Sequence, residues 1–103
     1  MSLSEQEFRL EADRALEQLQ RSLMPLADTE EFEVELQNGV LQIVFEDPAP
    51  AKFVISPNAP VRQIWVSALS RSFKLGWNGT TFALDDEAID ALLPRLIKQH
   101  LSS

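Results

Sequence analysis

The hydrophobic period of this chain changes twice, and that double change leaves few folds open. From Ser4 to about Leu23, the residues Phe8, Ala12, Ala15, Leu16, Leu19 and Leu23 recur at three- and four-residue steps, the mark of a helix with one apolar face. Ser4 and Glu7 form a capping box at its start, and Pro25 is expected to end it, leaving Ala27-Asp28-Thr29-Glu30 as a polar connection. The period then drops to two. Residues 31–36 read Glu-Phe-Glu-Val-Glu-Leu, so Phe32, Val34 and Leu36 enter a core while Glu31, Glu33 and Glu35 line the other face. Asn38-Gly39 is a type I′ hairpin signal that pairs the next strand, residues 40–46, antiparallel to the first. Asp47-Pro48-Ala49-Pro50 and Pro57-Asn58-Ala59-Pro60 bracket a third strand at 52–56. Further strands are expected at 62–68, 72–77 and 80–84, the last two separated by Asn78-Gly79. The helical period returns from about residue 86 to 101, capped by Asp85, with Ile89, Leu92, Leu93, Leu96, Ile97 and Leu101 as its apolar stripe and Pro94 expected to bend or divide it. The fold class that follows is α+β: a two-layer sandwich with N- and C-terminal helices on one face of a five- to six-stranded antiparallel sheet.

The 103 residues, 45% of them apolar, suffice for one core and are expected to form one domain over 1–103. With no cysteine there is no disulfide, no thiolate metal site and no cysteine ligand for an iron–sulfur cluster of the chain's own. The first residues carry no basic and apolar leader pattern, and no apolar run nears the roughly 20 residues of a membrane span, so a cytoplasmic protein is expected. The net charge of −7 is uneven: residues 1–35 hold ten acids against three bases, whereas the rest is balanced. That argues against nucleic acid and anionic lipid as partners and for cations or a basic protein surface.

Two constellations stand out. The row Glu31, Glu33 and Glu35, with neighbours about 7 Å apart on one strand, repels itself. Joined by Asp28, Glu30 and by Glu11 or Glu17 of the helix, it would gain by binding a divalent ion or basic side chains. Carboxylates alone give weak, unselective binding of hard cations, and no histidine with ligand spacing accompanies them; His100 reads as a helix-end residue. The second constellation is on the strand at 62–68, where Ile64, Val66 and Ala68 face the helices and Trp65 falls on the open side beside Gln63. An exposed tryptophan there, with Arg62 and Lys74 as neighbouring cations, is a protein-interface anchor; the alternative is that Trp65 packs under a loop or against Trp77. Catalysis finds little support: there is no Cys or Tyr, no Ser-His-Asp set and no glycine-rich phosphate loop.

Gln63-Ile64-Trp65-Val66-Ser67, followed by Trp77, resembles the strand signature of the frataxin family in its bacterial, CyaY-type form. Asn38-Gly39-Val40-Leu41 matches the family's first hairpin, and the spacing from Glu7-Phe8 to Val40 also fits. The resemblance implies a sandwich of two near-parallel helices on an antiparallel sheet. It further implies a monomer that serves iron–sulfur cluster biogenesis by weak ferrous or ferric iron binding on an acidic ridge and by docking on the cysteine desulfurase and scaffold complex, as regulator or iron donor. Carried over, Glu31, Glu33 and Glu35 belong to the ridge and Arg62, Gln63 and Trp65 to the docking surface. Where the family commonly has carboxylates at the end of the first helix, this sequence has Gln20, Arg21, Met24, Pro25 and Ala27, which argues against iron storage. The competing expectations are a metal-independent adaptor that docks through the same residues and an enzyme that oxidises iron.

Overall fold

The structure is a computed structural model and describes residues 3–47 and 49–102. Helix α1 (Glu5–Glu30) opens on the expected capping box: the Glu7 amide donates to Ser4 Oγ at 3.1 Å and the Ser4 amide to Glu7 Oε1 at 2.9 Å. Its buried face is the expected stripe, Phe8, Ala12, Leu16, Leu19 and Leu23, with Ala15 only half-buried and Ala27 added.

That extension overturns the expected stop at Pro25, which lies exposed inside α1 while the helix continues through Glu30. The ring costs the hydrogen bond to the Arg21 carbonyl, but burial of Leu23 and Ala27 on the core side holds the next turn in place. The helix ends instead at Glu31, whose left-handed backbone (φ 60°) directs its amide to the Ala27 carbonyl. Glu31 is therefore a helix cap rather than a strand residue, and β1 begins two residues later (Glu33–Gln37).

The strands β2 (Val40–Phe45), β3 (Ala51–Asn58), β4 (Gln63–Ala68), β5 (Arg71–Trp77), β6 (Phe82–Leu84) and β7 (Glu87–Ala88) follow, and the sheet runs β1 to β7 in simple chain order, antiparallel throughout. Asn38 and Gly39 both take positive φ (53° and 77°) and close the Gln37–Val40 pair, as a type I′ turn requires. Of the Asp47–Pro50 break, Pro48 lies outside the described residues; β2 ends before it, at Phe45. Pro57 and Asn58 extend β3 instead of starting a loop, and a 3-10 turn (Ala59–Val61) leads to β4.

Seven strands exceed the five or six expected because Asp85 and Asp86 make a tight turn between β6 and β7. Asp85, with φ 54°, is thus a turn residue and not a helix cap. Helix α2 (Ile89–Leu101) starts later, at Ala88, with no side-chain cap, and runs undivided through Pro94. Its buried residues are Ile89, Leu92, Leu93, Leu96, Ile97 and His100.

Both helices cover one face of the sheet. Leu41, Ile43, Phe45, Phe53, Ile55, Ile64, Val66, Phe73, Leu75 and Phe82 project into one core with the two helical stripes. Phe8 meets Phe82 edge-on at 5.6 Å, and Phe45 meets Phe53 at 5.0 Å. No described helix is long and apolar enough to cross a membrane.

Candidate functional site: an acidic helix–strand junction and an open sheet face

The end of α1 concentrates negative charge by simple chain continuity. Asp28 and Glu30 occupy its last turn, Glu31 caps it, and Glu33 and Glu35 follow on β1; all five are exposed. A helix C-terminus already carries about half a negative charge, which bases in the last turn normally offset. Here that turn has none. Among the described residues, none of the five acids makes an ion pair.

Glu11 and Glu17 are not part of this group. Glu11 pairs with Arg14 at 3.5 Å and Glu17 with Arg21 at 3.8 Å, and at about 1.5 Å rise per residue Glu17 lies roughly 16 Å before Asp28 along the helix. The row of three glutamates is also reduced, since only Glu33 and Glu35 share the open face of β1. Among the described residues, no group of three His, Cys, Asp or Glu side chains is placed to hold one metal ion. The junction is an open negative surface, suited to a loosely held cation that keeps much of its water. His100, the chain's one histidine, sits far from this role: it is buried with its ring 4.6 Å from Phe45 and its Nε2 3.2 Å from the Ala49 carbonyl. Its burial follows the helical period, three residues after Ile97 and four after Leu96, but a polar ring at that position does not signal a core residue.

Outside the junction, Glu5, Glu7, Glu87 and Asp90 have a shifted affinity for protons. A hydrogen bond from Arg9 holds Glu5 below its ordinary value, the Ser4 amide does the same to Glu7, and Arg95 to Glu87. Burial pushes Asp90 up.

On the open face, register aligns the side chains in rows. Glu35, Gln42, Val54, Ser67 and Ser72 cross five strands, and Ser56, Trp65 and Lys74 form the neighbouring row. Trp65 is 37% exposed. Its indole Nε1 donates to Gln63 Oε1 at 2.9 Å, and Lys74 Nζ stands 4.9 Å from the ring centroid. The ring is therefore oriented on both sides although it is only partly buried, as a preformed anchor needs. A shallow depression beside it is lined by Val54, Ser56, Ser67, Ser72 and Lys74. Val54 and Ser56 were missed as members of this surface, though parity finds them: if Phe53 and Ile55 are in the core, their neighbours on β3 must face outward.

Arg62 does not join Gln63, Trp65 and Lys74. It takes a left-handed backbone (φ 54°) ahead of β4, and its guanidinium donates to the Leu3 carbonyl at 3.2 Å and to the Ala59 carbonyl. It ties the start of the chain to the 3-10 turn. Trp77, the other candidate neighbour of Trp65, packs on Phe82 at 5.1 Å instead.

An antiparallel sheet in unbroken chain order, two helices on one face and an oriented tryptophan on the other agree with the comparison of family patterns, in which a frataxin-like domain matches residues 1–103. The chain belongs to the frataxin family. Iron-sulfur cluster assembly protein CyaY of Janthinobacterium sp. (strain Marseille) is 36% identical over 80 residues, which cover 76% of this chain and 70% of that protein. The protein of the same name from Cupriavidus metallidurans is 32% identical over the same shares. That of Herminiimonas arsenicoxydans is 30% identical over 101 residues, covering 94% of this chain and 89% of its own. The frataxin-family match thus takes in both the acidic junction and the Trp65 face.

Proposed function

We propose that this frataxin-family chain acts in iron–sulfur cluster assembly in the cytoplasm, binding ferrous iron weakly as cargo at the α1–β1 junction and docking on the cysteine desulfurase and its scaffold. The observation that carries it is the junction itself: Asp28, Glu30, Glu31, Glu33 and Glu35 gather at a helix C-terminus without one base in its last turn. Such a surface is destabilised by its own charge and gains from any cation that neutralises it. Oxygen donors suit ferrous iron as a hard to borderline cation, and their openness suits an ion that must be passed on. Trp65, braced by Gln63 and Lys74, supplies the second half as a docking anchor. The role is one of carrier or regulator rather than enzyme, and iron-dependent oxygen consumption should not exceed that of buffer.

A metal-independent adaptor is the second candidate, favoured by the lack of three described ligands around one point. Anaerobic titration with ferrous iron separates the two, using the parent and a variant with Glu31, Glu33 and Glu35 replaced by Lys. Weak binding by the parent that the variant loses supports the carrier; no chelatable iron on the parent, with desulfurase capture intact, supports the adaptor. Docking is tested by pull-down with purified cysteine desulfurase at low and high salt. Capture should weaken with salt, with the triple substitution and with Trp65→Ala. Equal capture by all three proteins would remove the docking assignment.

A further inference from the structure

The outer edge of β1 has unused backbone groups, and their pattern can be read from the hairpin. Strand β1 ends the sheet and pairs only with β2. In a two-residue hairpin the residues that close the turn exchange both hydrogen bonds, and such pairs recur at every second position. Gln37–Val40 closes this turn, so Gln37, Glu35 and Glu33 point their amides and carbonyls at β2. Val34 and Leu36 point theirs outward. No hydrogen bond among the described residues reaches those outward groups. The side chains divide the other way: Glu33 and Glu35 stand exposed on the open face, and Val34 and Leu36 are half-buried on the helix side.

We propose that this edge takes up an extended basic segment of a partner protein as an added antiparallel strand, with Lys or Arg at alternate positions. Residues opposite Leu36 and Val34 would exchange backbone hydrogen bonds with them, and the residues opposite Glu35 and Glu33 would form the close, non-hydrogen-bonded pairs, where opposite charges contribute most. Charge disfavours a second copy of this chain: two-fold pairing centred on Val34 or Glu35 sets glutamate against glutamate, and centring on Leu36 leaves both glutamates without a basic partner across the edge. The segment that fits reads apolar or β-branched, basic, apolar, basic. The inference rests on the docking half of the proposed function and names how the acidic strand would take part.

The test uses the peptide acetyl-Ser-Thr-Lys-Val-Lys-Ser-amide at low salt and the intact protein, with no iron and no desulfurase, so its outcome is separate from capture through Trp65. Binding should slow amide exchange at Val34 and Leu36. N-methylation of the peptide's Val, whose amide would face β1, should weaken binding about tenfold, the loss of a backbone hydrogen bond together with its steric fit. N-methylation of the first Lys, whose amide would face away, should leave it within about twofold. Glu35→Lys, an exposed change, should abolish binding while Glu35→Gln weakens it only in part. Absence of binding, equal affinity for the two methylated peptides, or unchanged exchange at Val34 and Leu36 under saturation would each overturn the proposal; the equal-affinity result would reduce the contact to unspecific charge attraction.

Discussion

Leu69 and Ser70 join β4 to β5 in a turn where both take positive φ (55° and 60°), closing the Ala68–Arg71 pair. A type I′ turn needs that geometry, and the Asn38-Gly39 hairpin meets it with favoured residues. Leu69-Ser70 does not. A left-handed residue with a Cβ is strained by about 1–2 kcal/mol, and glycine relieves that while adding about 0.5–1 kcal/mol of unfolded-state entropy. Leu69 packs on the core, but Ser70 is exposed and free to change. Ser70→Gly should therefore stabilise the protein by about 0.5–1 kcal/mol, read as a higher urea midpoint at unchanged slope. The residue scale also explains which site members parity located. Trp65 follows from the alternation of Ile64 and Val66 in the core, whereas Glu31 and Arg62 sit just before strands in left-handed positions, where alternation carries no information about direction.

At the scale of elements, the sheet face and helical stripes were legible because burial imposes a period on the residues that carry it. The element ends were not. Pro25 signals a stop that the core overrides, and Asp85-Asp86 looks like a helix start because acids favour both N-termini and turns. The two-residue strand β7 has no period at all to recognise. The override at Pro25 has a measurable cost. The missing amide leaves the Arg21 carbonyl without its helical donor, close to a helix end already strained by Asp28 and Glu30. Pro25→Ala should restore that bond and stabilise the protein by about 1–2 kcal/mol, since the helix-interior penalty of about 3 kcal/mol is partly offset by the freer unfolded chain. Thermal unfolding would show it as a rise of about 4–15 °C for a domain of this size. A drop in stability would mean that the ring is packed into the junction. Slower amide exchange from Ser22 to Glu30 would place the gain in the last turns of α1.

For the whole molecule, the net charge of −7 lies entirely in residues 1–35, along α1 and the start of β1. Like charges crowded on one edge oppose the compact state, and salt screens them over about 8 Å at physiological strength. Raising NaCl from about 10 to 150 mM should raise the unfolding temperature. Millimolar magnesium should raise it further at equal ionic strength, and the variant with Glu31, Glu33 and Glu35 replaced by Lys should lose most of both gains. A parent protein indifferent to salt would show that the junction is relaxed and needs no cation.

Acid acts on the capping and paired carboxylates. Glu5, Glu7 and Glu87 bind protons less readily when folded, through Arg9, the Ser4 amide and Arg95 respectively, and each starts from an ordinary value of 4.5. A carboxyl with a lowered folded value contributes stability that is complete above the unfolded value and is lost as pH falls through the folded one. Asp90 has the opposite sign: raised by burial from 3.8, it favours the folded state below its unfolded value, and that contribution disappears as pH rises through the folded one. Glu5, Glu7 and Glu87 each lose their contribution as pH falls below about 4.5, and Asp90 opposes that loss. Glu87→Gln weakens the pairing with Arg95, whose two contacts measure 2.7 and 2.8 Å, and should flatten the acid limb of a stability profile while leaving the salt response unchanged. Glu33→Gln should weaken the salt response, because among the described residues Glu33 makes no ion pair and it belongs to the crowded edge. Urea midpoints of the parent and the two variants between pH 3 and 7, at two salt concentrations, separate the capping and pairing carboxylates from the self-repelling ones. If Glu33→Gln left the salt response as it is in the parent, the division between the junction and the rest of the acidic surface would fail.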